Sequence, residues 1–120
     1  MAAMKVPPAS EFCTLGDLWA RAGNLASAEE VLRVGLQREP YSYMCHRELG
    51  EIDRVKGRLA ATRENFEFVV RFYPEADSGT YLSLALVCRA QGHPDRAQEI
   101  LEKGRRIFPN AQAISRMFSH

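Results

Sequence analysis

The sequence predicts an all-α fold in which one structural unit is repeated three times. Glycines recur after 34 and 35 residues, and prolines keep the same spacing: Gly23, Gly57 and Gly92, then Pro40, Pro74 and Pro109. Between these positions apolar residues recur every three or four residues, which is the spacing of one face of an α-helix. A fixed period of this length indicates a repeat array, and the glycines and prolines mark where helices end.

The first repeat has the clearest pattern. Its two helices are predicted over residues 11–22 and 26–38. Phe12, Leu15 and Trp19 form an apolar stripe along the first helix, which predicts that they are core residues. Ser10 is well placed to cap the start of this helix, because its hydroxyl can accept a hydrogen bond from an unpaired backbone N–H. Gly23 tolerates the left-handed conformation that ends a helix.

The second repeat is the most aromatic part of the chain. Its helices are predicted over residues 42–56 and 58–72. Phe66, Phe68 and Phe72 lie on the second of these, and Tyr73 follows it. Because the middle repeat of an array has neighbours on both sides, we expect the densest core here.

The third repeat differs by one added residue near positions 75–77. Its helices are predicted over residues 80–91 and 94–107. Asp77 or Ser78 can cap the first helix, and Pro94 stands in the first turn of the second, where a missing N–H costs nothing. Ile114 and Phe118 then form a short stripe that is able to cover the end of the array.

Three spaced sets of residues carry a family resemblance. They are Leu15-Gly16, Trp19, Gly23, Ala28, Leu32 and Pro40; Leu49-Gly50, Gly57, Thr62, Phe66 and Pro74; and Leu84-Ala85, Gly92, Ala97, Leu101 and Pro109. This skeleton resembles the tetratricopeptide repeat family. The resemblance implies an all-α solenoid of three antiparallel helix pairs in a right-handed superhelix, with a short C-terminal capping helix. The implied organisation is a flexible lead-in at residues 1–9 and one domain at 10–118, with repeats at about 10–41, 42–75 and 77–110 and a partial fourth repeat or cap at 111–118.

Composition narrows the function classes. Lys and Arg exceed Asp and Glu by one in the 120 residues, 16 against 15, which gives no support to bulk electrostatic binding of nucleic acid or membrane. No secretory signal or membrane-spanning stretch is recognisable, so we expect a cytoplasmic protein. Cys13, Cys45 and Cys88 are an odd number and fall in different repeats, which favours reduced, packed thiols over a disulfide framework.

The sequence offers no constellation typical of catalysis. A nucleophile elbow, a Gly-rich phosphate loop, and the HExxH and CxxC motifs are all missing. Cys45 and His46 are adjacent, but successive helical residues point about 100 degrees apart and do not converge on one atom. Asp53 occupies the register position of Trp19, and we expect it to be near the surface or paired with an arginine rather than to receive a partner's basic group. We therefore predict no enzyme, no cofactor and no metal.

What remains is a binding surface. In proteins with this repeat, the first helices of the pairs line a concave groove that holds a peptide. The resemblance places nine residues in that groove: Asp17, Arg21, Met44, Arg47, Glu51, Arg54, Leu82, Leu86 and Arg89. Cys13 is a further candidate. Because Arg binds carboxylates in a bidentate manner, we expect a peptide or protein partner with acidic and apolar residues.

Alternatives differ in class. The chain could be the repeat portion of a larger enzyme or assembly complex that packs against a catalytic domain or a sister subunit, with a dimer through the C-terminal end as one form. Recognition of a chaperone's C-terminal carboxylate is disfavoured, because the matching positions, such as Asp17 and Glu48, are not basic or amide. An RNA-reading repeat class of similar period is disfavoured by the net charge near zero.

Overall fold

The structure, a computed structural model, describes residues 11–118, and in this range its regular secondary structure is α-helix. Seven helices follow one another: α1 (Glu11–Arg21), α2 (Leu25–Arg38), α3 (Tyr43–Val55), α4 (Leu59–Phe72), α5 (Ser78–Ala90), α6 (Pro94–Ile107) and α7 (Gln112–Arg116). Their ends agree with the predicted ones to within two residues. The predicted lead-in at 1–9 and the Ser10 cap lie outside the described residues.

Consecutive helices pack as pairs. α1 contacts α2, α3 contacts α4, and α5 contacts α6; the second helix of one pair then packs on the first helix of the next. The turn inside each pair passes through a glycine at positive φ, Gly23, Gly57 or Gly92, a conformation that L side chains rarely adopt. Side chains cap the later pairs as well, since Ser42 accepts from the Cys45 N–H and Asp77 from the Gly79 N–H.

Small residues let the two helices of a pair approach closely. A Cβ atom built at Gly16 would lie 2.5 Å from Leu32 Cγ, and one at Gly50 would lie 2.5 Å from Phe66 Cε1. The Leu-Gly pairs of the first two repeats are thus explained by packing, because any side chain at the glycine would enter the space of the facing helix. The third repeat has Ala85 at this register position, and Ala85 is fully buried.

Two separate apolar clusters form the core. The N-terminal cluster holds six buried residues: Cys13, Ala28, Leu32, Cys45, Leu49 and Ile52. The C-terminal cluster holds ten: Phe66, Val70, Tyr81, Leu84, Ala85, Cys88, Ala97, Ile100, Leu101 and Ile114. The larger cluster therefore lies mainly within the third repeat and reaches the second repeat through Phe66 and Val70 of α4. The expectation of a core centred in the middle repeat was wrong, because α3 joins the N-terminal cluster whereas α4 joins the C-terminal one.

Two other expectations are corrected. Leu15 and Trp19 are 44% and 37% exposed and are not core residues, although Phe66 is buried as predicted. Cys13 and Cys45 are joined in a disulfide, with their Cα atoms 5.0 Å apart, so only Cys88 is a buried free thiol among the described residues. The pairing was hidden in the sequence because it joins the first helices of two repeats, 32 residues apart.

The C-terminal helix covers the last pair. α7 packs on both α5 and α6, and Ile114 is buried in the C-terminal cluster. Met117 and Phe118 pack on the same cluster, and the Arg105 guanidinium lies 4.0 Å from the centre of the Phe118 ring. The short helix is therefore the cap that the sequence predicted. Within residues 11–118 no helix has both the length and the apolar character that a membrane span requires.

Candidate functional site

All nine predicted groove residues lie on the first helices of the pairs. Asp17 and Arg21 are on α1, whereas Leu82, Leu86 and Arg89 are on α5. The other four, Met44, Arg47, Glu51 and Arg54, are on α3. The structure places α1 against α3, and the Asp17 carboxylate of α1 interacts with the Glu48 carboxylate of α3.

Two arginines of the candidate groove pair with acids on their own helix. Arg21 Nε lies 2.9 Å from an Asp17 carboxylate oxygen, and an Arg54 guanidinium nitrogen lies 2.8 Å from Glu51. Both arginine side chains are exposed. Ion pairs of this kind contribute little to stability, because solvent screens them and two long side chains must be ordered. A partner's carboxylate could therefore replace Asp17 or Glu51 at small cost.

Arg47 has a different environment. Its guanidinium is half-buried and donates to Glu48 at 3.2 Å and to Asp77 at 3.4 Å. Burial acts to lower the pKa of Arg47, but the Glu48 and Asp77 carboxylates outweigh it and raise that pKa above its ordinary value. Because Asp77 also caps α5, Arg47 joins the second repeat to the third. We infer a structural role for this arginine.

Glu48, which the sequence did not single out for the groove, is a partly buried acid on α3. Burial raises the pKa of its carboxyl above 4.5, and the nearby Asp17 carboxylate raises it further, while Arg47 only partly offsets these effects. Like charges from α1 and α3 thus meet beside Glu48. A basic group of a partner would be favoured at this point of the surface.

The apolar candidates divide into packed and exposed residues. Met44 packs against the N-terminal cluster and Leu82 against the C-terminal cluster, so both serve the core at least in part. Leu86 is 49% exposed on α5, and Arg89, one turn later, is exposed as well. Leu86 and Arg89 are therefore the candidates on α5 that a partner would reach most easily.

Asp53 belongs to a polar network that sequence reasoning missed. It is 2% exposed and accepts hydrogen bonds from Arg58 at 3.3 Å and Asn65 at 3.2 Å. Arg58 also pairs with Glu29 of the first repeat, and Lys56 reaches Glu29 at 3.3 Å. Of the two expected alternatives, a surface position or pairing with an arginine, the structure shows the pairing. The network joins two repeats, which neither repeat's sequence indicates alone.

His46 extends the same network. Its Nδ1 lies 2.9 Å from Asn65 Oδ1, its Nε2 lies 2.9 Å from the Pro40 carbonyl oxygen, and its ring stacks on Phe68 at 3.8 Å. Both ring nitrogens therefore lie within hydrogen-bond distance of an oxygen atom of the protein. The adjacent Cys45 is bonded to Cys13, so the Cys45-His46 dipeptide does not form a reactive pair.

A separate depression lies between the second helices α4 and α6, on the other helix layer. Its volume is about 540 Å³, and charged residues of both signs line it, including Glu67, Arg71, Arg96 and Lys103. Arg96 is already paired with Glu67 at 3.6 Å and with Glu99 at 3.1 Å. Over the described part of the chain, no three His, Cys, Asp or Glu side chains are grouped so that they could hold a metal ion.

Comparison with family models gives a match to two of the three repeats. The family model described as Tetratricopeptide repeat matches residues 13–33 and 79–103, which correspond to most of the first helix pair and most of the third. No curated protein matches the sequence significantly. The matched segments bracket the second repeat, whose Asp53 and His46 depart from the pattern of its neighbours.

Proposed function

We propose that the chain is a protein interaction module of the tetratricopeptide repeat type, which binds a partner peptide or protein surface along its first helices. The match of the family model to residues 13–33 and 79–103 supports the repeat type. Repeats of this family generally mediate protein interactions. The observation that supports the groove most directly is the exposure of Arg54, Leu86 and Arg89 on α3 and α5, the helices that carry the candidate surface. We propose no catalysis and no cofactor.

We further propose what the partner looks like. Arg54 and Arg89 would bind acidic residues, since the weak exposed pair of Arg54 with Glu51 is readily exchanged. Leu86 would contact an apolar residue. Near α1, the carboxylates around Glu48 favour a basic residue of the same partner. The expected ligand is thus amphipathic and carries both signs of charge. It has the acidic and apolar residues that the sequence predicted and, in addition, a basic residue.

A variant pair tests this proposal. The double variant Arg54→Glu and Arg89→Glu reverses the charge of two exposed groove residues and leaves the structural Arg47 in place. The double variant Arg33→Glu and Arg106→Glu applies the same charge change to exposed residues of the second helices α2 and α6. A partner captured by the parent chain should be lost with the first variant and kept with the second, while circular dichroism shows equal helicity.

Crosslinking locates the contact independently. A photoreactive residue at position 86 should join the captured partner, whereas the same residue at position 30, exposed on α2, should not. If position 30 crosslinks and position 86 does not, the partner binds the other helix layer and the groove proposal is wrong.

A second candidate function is packing of this repeat unit against a catalytic domain or a sister subunit. An exposed apolar face on α1, formed by Leu15, Leu18 and Trp19, favours it. A dimer through the C-terminal end remains a prediction, which sedimentation at several concentrations would measure. A cytoplasmic location is likewise a proposal. The Cys13–Cys45 disulfide argues against it, because disulfides are uncommon in the cytosol.

A further inference from the structure

The face of α1 that points away from α3 is exposed at positions that are buried in both later repeats. Three register positions show this; for each, the exposed fractions are given in the order first, second and third repeat. Leu15, Leu49 and Leu84 are 44%, 3% and 0% exposed; Leu18, Ile52 and Val87 are 58%, 3% and 3% exposed; Trp19, Asp53 and Cys88 are 37%, 2% and 0% exposed. The exposure therefore reflects a missing neighbour rather than a different register.

Inside the molecule, the second helix of the preceding pair covers the equivalent positions. α2 packs on α3, where Leu32 shares a cluster with Leu49 and Ile52. α4 packs on α5, where Phe66 and Val70 share a cluster with Leu84 and Cys88. The exposed face of α1 corresponds to the faces of α3 and α5 that these helices cover. A helix that resembles α2 and α4 should therefore fit it.

The covering helices have a common pattern. Leu25, Leu32 and Leu36 of α2 are spaced i, i+7 and i+11, and Leu59, Phe66 and Val70 of α4 repeat this spacing. Apolar residues at these intervals lie along one side of a helix. We propose that the α1 face, defined by Leu15, Leu18 and Trp19, binds an amphipathic α-helix of a partner protein with large apolar residues at i, i+7 and i+11.

The charges of the two internal interfaces define one more property of this partner helix. Glu29 of α2 bridges to Lys56 at 3.3 Å, and Arg63 of α4 donates to Gln91 at 3.3 Å. Glu29 and Arg63 both occupy position i+4 of the pattern. The residue of the first repeat that corresponds to Lys56 and Gln91 is Ala22, which cannot form such a bridge. The partner helix accordingly has an uncharged residue at i+4.

A second copy of the chain does not supply this helix from its described part. Each second helix already packs on a following one: α2 on α3, α4 on α5 and α6 on α7. The corresponding residues of α6 also break the pattern, because Pro94 and Arg105 stand where Leu25 and Leu36 stand in α2. Since the described second helices of another copy are occupied, we assign the partner helix to another protein.

Trp19 makes a direct test available, because it is the only tryptophan of the chain and lies within the face. The probe is a synthetic peptide of residues 58–73 with Arg63→Ala, held helical by a lactam between Lys introduced at position 60 and Glu64, both of which are exposed in the protein. Added to the full chain, it should shift the Trp19 emission to shorter wavelength with a saturating curve. The same peptide with Phe66→Glu should give no shift.

Matched protein variants locate the peptide-binding site on the protein. Leu18→Glu should weaken peptide binding at least about tenfold, since a charge would enter an apolar contact. Val55→Glu, an equally exposed apolar residue on α3, should leave it unchanged. Both variants should keep the parent's circular dichroism, because each replaced side chain is solvent-exposed.

Three results would overturn the proposal. One is the absence of any emission shift at a peptide concentration of about 1 mM, where even weak helix packing is detectable. Another is a concentration-dependent dimer of the chain alone that Leu18→Glu dissociates, which would make a second copy the occupant. The third is a shift of Trp19 emission to longer wavelength on deletion of residues 2–9 without peptide, which would make the chain's own N-terminal segment the occupant.

Discussion

The two interfaces between repeats have the same register but different chemistry. Between the second and third repeats, Phe66 and Val70 meet Tyr81 and Leu84 in a cluster of ten buried residues. Between the first and second repeats the buried cluster has six residues, and a disulfide and the Asp53 network accompany it. The repeat pattern thus fixes where helices meet, whereas the side chains at each junction decide how they are held.

The largest effect is expected in the C-terminal cluster. Phe66→Ala should lower the free energy of unfolding by about 3 to 5 kcal/mol, because a fully buried ring is removed and Gly50 faces the resulting cavity. Urea unfolding followed by circular dichroism measures it. Leu18→Ala, on the exposed face of α1, should change the same quantity by less than about 1 kcal/mol. Equal decreases in the free energy of unfolding would contradict the expectation that the C-terminal cluster contributes more to stability than the exposed face of α1.

The disulfide supports only the N-terminal junction. Reduction should lower the free energy of unfolding by about 3 to 4 kcal/mol, as expected for a crosslink that closes a loop of 32 residues in the unfolded chain. Thiol counting should find one accessible thiol in the unfolded oxidised chain and three after reduction. The double variant Cys13→Ala and Cys45→Ala is the control, since its stability should not respond to reductant.

The buried polar network should matter more than a surface ion pair. Asp53→Ala should cost about 2 kcal/mol, because Asn65 and Arg58 lose an acceptor that is buried at the junction. Glu51→Ala, which removes an exposed pair with Arg54, should cost less than about 1 kcal/mol. Chemical denaturation of both variants measures the two changes in the free energy of unfolding. A larger decrease for Glu51→Ala would mean that the network contributes little to stability.

The smallest effect concerns pH. The pKa of Glu48 is raised by burial and by Asp17, so the folded state holds its proton more tightly than the unfolded state. Its stabilising contribution is full below pH 4.5 and is lost as the pH rises through the raised pKa. Glu48→Gln should therefore be more stable than the parent at pH 7, by less than about 1 kcal/mol, with the advantage disappearing near pH 4.

The control for this titration is Glu51→Gln on the same helix, which removes an exposed carboxylate. Stability curves of the parent and both variants between pH 4 and pH 7 are the measurement. A Glu48→Gln variant that is less stable than the parent at pH 7 would show that the Arg47 ion pair outweighs the cost of burial.

The fold was largely predictable because its signals are local. Helical spacing, the turn glycines and Pro94 each act within a few residues, and α6 begins and ends where the sequence predicted. The candidate site was predictable only as a set of positions on first helices. Its electrostatics depends on contacts between repeats, such as Arg47 with Asp77, and no periodicity in one repeat reveals a partner in the next.

The misjudged residues share one cause. Trp19 has the sequence context of a core residue, yet it is exposed because burial at that position requires a preceding helix pair, which the described structure does not contain. Asp53 is a charged residue of a type that is usually exposed, yet it is buried, and Arg58 and Asn65 bind its carboxylate. Glu29 of α2 binds the same arginine from the first repeat. In a repeat array, the burial of a residue depends on which helices of the adjacent repeats pack against it.

By itself, the sequence determined the all-α class, the three helix pairs, their turns and the short terminal helix, since hydrophobic periodicity and backbone preferences act over short distances. The tertiary structure alone decided the Cys13–Cys45 disulfide, the division of the core into two clusters and the exposed face of α1. These depend on the packing of residues some 30 positions apart, where identical register positions meet different side chains.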